Sequence, residues 1–437
     1  MDRNRLIDAL QATTSSTEQI KEATAYLDEV QKLEGIAPLL LQIVVDEQII
    51  CTARQAGVIY LKNMISRSWI QDDDEKLSNF VLSEADKDFI RGNIIDAIVA
   101  TPEALCTSIG IILRHDFPDY WTPMAQKITS LLHSMDGPSW LGALLVIRRL
   151  VKLYEYRRVK EKKQLVETMS ILMPMLYERL ITLMPDNSQE SCLLQKIILK
   201  VFYGLVQFSL NLEMFSMETL GMWFEQLRLV VERPVPVELE NIDEDDRPRT
   251  VWWKYDSLRY GSPGQVESDY KLFAEYFLVN HAQRILHTLL AVLDRYRQGE
   301  YIAPRVLNFI LGYVATAISQ ARTWKVIKPH CHELICSVLL PLFKYSSDDE
   351  DLWKNSPEEY VRLKYDLYSE IQEPVSGATN VLTAAVKRKD ILPPVLEFLL
   401  KILNLSEYGI KEKDGALRMI GGLSQILLKN KVYFFIS

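Results

Sequence analysis

RQAGVIYLKNMISRSW, residues 54–69, decides the fold. Stepping about 100° per residue along a helix, Val58, Leu61, Ile65 and Trp69 fall within one arc, and Gly57 and Met64 widen it. Ile59, Tyr60 and Ala56 lie outside that arc, and Gln55, Lys62, Asn63, Ser66 and Arg67 are scattered polar positions. A helix with so little polar surface is expected to be touched on more than one side. A layered stack of helical hairpins demands this, because each helix packs on its own partner and on the hairpins before and after it. Ile59 and Tyr60 are then expected to reach a second contact.

The 437 residues are 48% hydrophobic and 25% charged, enough apolar material for an extensive core, so disorder over most of the length is excluded. Net charge is −8. The acid concentrates at Asp72–Glu75, Glu238–Asp246 and Asp348–Asp351, a balance that favours basic partners over nucleic acid or anionic lipid. Cys51, Cys106, Cys192, Cys331 and Cys336 are odd in number and mostly far apart, which points to a reducing, intracellular compartment. MDRNRLIDAL at the amino terminus has charges where a secretion signal needs an apolar core. Apolar runs such as Ile36–Val45 are about half the ~20 residues of a membrane span, so a soluble protein without membrane insertion is expected.

Helical periodicity dominates, and no Asn-Gly or Asp-Gly joins two alternating segments, so the fold class is all-α. Helices are expected at 17–33, 36–45, 51–69, 84–100 with Ser83 as cap, 103–115, 121–133 and 139–154, the last preceded by a turn at Asp136–Pro138. Further helices follow at 161–184, 188–210, 212–231, 270–297, 303–320, 328–345, 357–371, 377–387, 391–405 and 411–429. They come in pairs of roughly 40 residues, the period of HEAT or armadillo units, and predict an α-solenoid. The rhythm breaks over 233–268, a Pro-rich acidic insertion holding WWK and GSPG. The expected layout is therefore 1–16 as the first helix, 17–100 and 101–232 as hairpin arrays, the insertion, a further array over 269–430, and an apolar tail at 431–437. The VYFFIS end is expected to be a disordered tail or to lack its covering partner.

Chemistry is sparse. In HCHELIC, His332 and Cys336 stand one turn apart while Cys331 points away, giving two ligands where a structural zinc wants four, so no metal is expected. GSPG lacks the pattern of a phosphate-binding loop, and the acids at Asp72–Glu75 lack calcium-loop spacing and read as a solvated loop. HDFPDYW, residues 115–121, reads as a turn between helices. Asp243, Glu244, Asp245 and Asp246 are followed closely by Trp252 and Trp253. Exposed, these residues would suit a basic, partly apolar peptide; otherwise the tryptophans plug an adjacent groove. No nucleophile, base and ligand set converges, so the expected role is binding rather than catalysis, with no cofactor.

KEATAYLDEVQKLEGIAPLLLQIVVDEQIICTARQAGVIYLKNMISRSW resembles the amino-terminal domain of the importin-β (karyopherin-β) superfamily. ILRHDFPDYW, WLGALLVIRRLVKLYEYR, EDDRPRTVWWK, YGSPG, YIAPRVLNF and KDGALRMIGGLSQILLK extend the likeness to its importin-seven/importin-eight branch. The resemblance implies HEAT repeats, binding of the GTPase Ran in its GTP form, passage through the nuclear pore by way of nucleoporins, and residence in cytoplasm, nucleus and nuclear envelope. It also implies basic protein cargo such as ribosomal proteins or histones. Lys62 and Asn63, with Arg67, match the helix such proteins turn toward Ran. Only YDSLR stands between WWK and YGSPG where relatives carry a helix, so one repeat is expected to have lost its first helix. Relatives are also more than twice as long, which implies an amino-terminal part of such a receptor, from a truncated isoform or an incomplete gene model. A generic HEAT scaffold without Ran-dependent activity is the alternative.

Overall fold

A computed structural model describes residues 2–14, 16–70, 80–101, 105–121, 123–207, 210–233, 271–364 and 373–429. These residues are helical, with no strand among them, and they cluster into two compact units, Met1–Met214 and Phe215–Ser437. The expected all-α fold of stacked HEAT-type hairpins is observed in each. Asp72–Glu75, most of the 233–268 insertion with its shortened YDSLR segment, and the VYFFIS tail lie outside the described residues.

The first unit contains α1 (Arg3–Ala12), α2 (Thr17–Val30), α3 (Ile36–Val45), α4 (Cys51–Ser68), α5 (Glu84–Ala100) and α6 (Cys106–Asp116). It continues with α7 (Pro123–His133), α8 (Gly137–Tyr154), α9 (Lys163–Leu183) and α10 (Gln189–Val206). First helices of successive hairpins touch, α3 on α5 and α7 on α9, while second helices α4, α6, α8 and α10 pack in series. Two layers result, as in a hairpin stack. Local sequence sets several boundaries. Ser83 Oγ accepts from the Asp86 N–H at 3.2 Å, capping α5, and Gly35, at φ 85°, supplies the left-handed entry to α3 that a side chain would oppose.

The turn expected at Asp136–Pro138 is instead the start of α8. Asp136 accepts from Ser139 N at 2.8 Å as N-cap, and Gly137-Pro138 form the first turn. Proline fits there because its missing N–H would have no partner in the helix anyway. Close packing of α5 on α8 requires Gly142: a Cβ there would stand 2.6 Å from Val99 Cγ2 and 3.1 Å from Val99 Cα. Because backbone cannot yield as a side-chain tip can, Gly142→Ala is expected to cost about 1–3 kcal/mol by overpacking. Chemical denaturation would read it as a lowered midpoint with unchanged slope; a neutral result would show that α5 can shift.

The second unit begins with α11 (Met217–Glu232), α12 (Lys271–Asn280), α13 (Ala282–Arg297) and α14 (Pro304–Ser319). The single helix expected over 270–297 is broken at His281, whose ring lies 5.6 Å from Phe224 of α11 in a cluster with Phe277. A continuous helical run then passes through α15 (Ala321–Ile327), a 3₁₀ turn at Lys328–His330, α16 (Cys331–Leu334), a π turn at Ile335–Leu339 and α17 (Leu340–Phe343). It starts seven residues before the expected helix at 328. The π turn widens the backbone ahead of Pro341, whose ring would clash with the preceding turn of a regular helix. Among the described residues this run lies in the one helical stretch long and apolar enough to cross a membrane, Ala321–Asn355, but Ile327, Leu334, Ile335, Val338 and Leu339 are buried within the unit.

Next come α18 (Ser347–Asn355), α19 (Pro357–Lys364), α20 (Pro374–Val386), α21 (Leu392–Asn404), α22 (Ile410–Gly422) and α23 (Ser424–Lys429). The acids at Asp348–Asp351 fall in and just after the first turn of α18, where Ser346 Oγ accepts from Asp349 N at 3.0 Å and the helix dipole favours negative charge. Gly377 lets α20 approach α14, since a Cβ would meet Asn308 Oδ1 at 2.6 Å and Leu311 Cβ at 2.9 Å. Arg388 Nε donates to Ile318 O at 2.7 Å, satisfying the carbonyl end of α14.

Candidate functional site

On α4, Ala53, Gly57, Leu61, Met64, Ile65 and Ser68 are buried, as is Trp69 just beyond. The buried stripe is rotated from the expected one toward Gly57, because α1 and α3 close in there: a Gly57 Cβ would meet Val44 Cγ2 at 3.4 Å and Leu10 Cδ1 at 3.5 Å. Val58 is consequently only half-buried. The second contact expected of Tyr60 is present, its hydroxyl donating to Leu27 O of α2. The one expected of Ile59 is not: this side chain is 57% exposed.

Ile59 therefore joins the candidate residues instead of the core. At about 100° per residue, Gln55, Ile59, Lys62, Ser66, Asn63 and Arg67 share one arc. Lys62 and Asn63 are half-buried and Arg67 is exposed. α4 carries no acid between Cys51 and Ser68, so this face is cationic around an apolar centre. Sequence reasoning chose its polar members and missed Ile59; the signal was its position on the wheel, within one step of Lys62.

Behind this face lies a polar tie that the sequence did not reveal. Trp69 Nε1 donates to Asp116 at 3.1 Å and Arg91 Nε donates to Asp116 Oδ2 at 2.9 Å. The Arg91 guanidinium also stands 5.5 Å from the Trp69 ring and pairs with Asp88 at 2.7 Å. Burial opposes the charge on Arg91, but hydrogen bonds to Asp116 and Asp88 more than offset it. HDFPDYW is thus more than a turn: its Asp116 connects the end of α4 with α5 and α6.

The HCHELIC cluster has the expected geometry. Cys336 Sγ is 3.6 Å from His332 Nδ1, while Cys331 is buried away from them. Burial pushes both thiols up to about 11, which disfavours the thiolate a metal or nucleophile would need. Among the described residues no group of three ligating side chains forms a metal site. Asp243, Glu244, Asp245, Asp246, Trp252 and Trp253 lie outside the described residues.

Residues 23–100 match the family described as Importin-beta N-terminal domain. Importin-8 of Mus musculus is 40% identical over 451 aligned residues, covering 99% of this chain and 45% of that protein. The chain thus spans about half the length of this relative. Among solved structures, the exportin Cse1 in its cargo-free, cytoplasmic state superposes with a TM-score of 0.72 at 15% identity, covering 97% of this chain and 47% of that one. The Kap95:Nup1 complex gives a TM-score of 0.60 at 14% identity, covering 97% and 46%. At such identities the structural likeness concerns the fold. The stacked hairpins, the residues matched over 23–100 and the similarity along the whole chain place this protein in the importin-β (karyopherin-β) superfamily, in its importin-seven/importin-eight branch, as the counterpart of the amino-terminal part of those proteins.

Proposed function

We propose that this chain acts as the amino-terminal part of a nuclear transport receptor that binds Ran in its GTP form through the solvent face of α4. The observation that carries the reading is the acid-free face of α4 inside the matched domain, where Lys62, Asn63 and Arg67 surround the exposed Ile59. An exposed apolar side chain ringed by polar ones is the composition of a protein-binding patch. In this reading 17–100 engages Ran, and the insertion with Asp243, Glu244, Asp245, Asp246, Trp252 and Trp253 contributes to holding basic cargo. Nucleoporin contacts and movement between cytoplasm and nucleus follow as parts of the same proposal. The pairing of Kap95 with Nup1 in a structure of like fold supports the nucleoporin part.

The test is retention of the chain on immobilised Ran loaded with GTP or GDP. Retention by the GTP form alone is expected; equal retention or none would leave a HEAT scaffold as the better description. Lys62→Glu combined with Asn63→Ala is expected to weaken Ran-GTP retention at least about tenfold, while Tm stays nearly unchanged, because neither side chain belongs to the core. A large drop in Tm would make these residues structural instead.

A further inference from the structure

The net negative charge hides a segregated positive surface in the first unit. α8 carries Arg148, Arg149 and Lys152 and no acid between Gly137 and Tyr154. α6 carries Arg114 and His115 in its last turn, and its one acid, Asp116, is buried against Trp69 and Arg91. At about 100° per residue, Leu145, Arg148, Arg149 and Lys152 fall on one arc of α8, and Ile111 and Arg114 on one arc of α6. All six are exposed or half-buried. The two helices pack together, and Arg149 lies at their seam, its Cδ 3.9 Å from where a Cβ on Gly110 would stand. The two arcs therefore form one continuous surface.

None of Arg114, Arg148, Arg149 and Lys152 has a carboxylate partner among the described residues. Glu155 follows α8 and Asp119 lies close enough to act on Tyr154 at its end, but neither carboxylate pairs with these four cations among the described residues. Helix dipoles favour cations in a last turn by roughly 0.3–1 kcal/mol each. That accounts for Arg114 and Lys152, but Arg148 and Arg149 precede the last turn of α8. Like charges clustered without counter-charge destabilise a fold, and this chain has 58 acidic residues that could have neutralised them.

We propose that the joined solvent faces of α6 and α8 bind an acidic polypeptide segment, with Arg114, Arg148, Arg149 and Lys152 pairing its carboxylates and Ile111 and Leu145 receiving its apolar side chains. A nucleic acid fits less well, because a long polyanion would extend past the patch into the field of a chain whose net charge is −8. A short acidic segment meets only the local positive field. The patch shares no residue with the α4 face assigned to Ran, although α4 and α6 pack together, so separate variants on the two faces tell the two readings apart.

Fluorescence anisotropy with a labelled peptide of Asp and Glu interspersed with Leu, competed by single-stranded DNA of equal charge, tests this. The intact chain is expected to bind the peptide, more weakly as salt rises. Arg148→Glu, Arg149→Glu and Lys152→Glu together are expected to weaken binding at least about tenfold and leave Ran-GTP retention unchanged. Lys62→Glu with Asn63→Ala should leave peptide affinity unchanged. If the glutamate variant melts early, the corresponding triple glutamine variant decides, with an intermediate loss expected. Absence of peptide binding by the intact chain, full affinity in the glutamine variant, or preferential capture of the DNA would each overturn the proposal.

Discussion

Replacing Asp116 by alanine is expected to lower the stability of the α4–α6 region by about 3 kcal/mol, because it strands a partly buried guanidinium and a buried indole N–H together. Asp116 and Arg91 side chains are only 7% and 14% exposed. Arg91 keeps Asp88 and a longer contact of 3.7 Å to Glu84, which holds the loss toward the lower end for a broken buried pair. Asp116→Asn retains an oxygen for Trp69 but no charge for Arg91, so an intermediate loss is expected. Native-state hydrogen exchange is the appropriate readout, since cooperativity in a repeat array can be local and a single global midpoint can miss it. Protection should fall first in α4, α5 and α6. Loss under about 1 kcal/mol in both variants, with no difference between them, would mean that the tie contributes packing and not charge pairing.

Leu61→Ala is expected to cost about 2–5 kcal/mol, against less than about 0.5 kcal/mol for Ile59→Ala two positions earlier. Both are branched aliphatic residues on α4. Leu61 is completely buried where α4 meets its neighbours, so truncation leaves a cavity, while Ile59 is 57% exposed and truncation removes surface already in water. The pair also separates fold from function. Ile59→Ala should weaken Ran-GTP retention without moving the melting temperature, whereas Leu61→Ala should lower stability. Comparable destabilisation by the two changes would contradict the orientation of α4 described above.

Much of the fold was legible because its signals are local. α3 occupies 36–45 and α5 occupies 84–100, as periodicity and the Ser83 cap indicated. Boundaries failed where a cue had two meanings or where none existed. Gly137-Pro138 resembles a turn but serves equally well as the first turn of a helix. Nothing in the sequence around His281 marks a break; the aromatic packing of Phe224 and Phe277 accompanies it. The helix at 347–355 is absent from the expected set, where Asp348–Asp351 count only as surface charge, although acids favour a helix start.

By itself the sequence determined the all-helical class, the hairpin rhythm and the family resemblance, since these depend on residue types and their spacing along one chain. Only the tertiary structure decided which side of each helix remains for a partner. A wheel places Val58, Ile59 and Lys62 in angle, but neighbouring helices decide which angles are covered. α1 and α3 draw the buried stripe of α4 toward Gly57 and leave Ile59 in solvent. The same dependence on neighbours turns Asp116 inward to Trp69 and Arg91, and sets Arg149 of α8 against Gly110 of α6, one helical turn from Arg114.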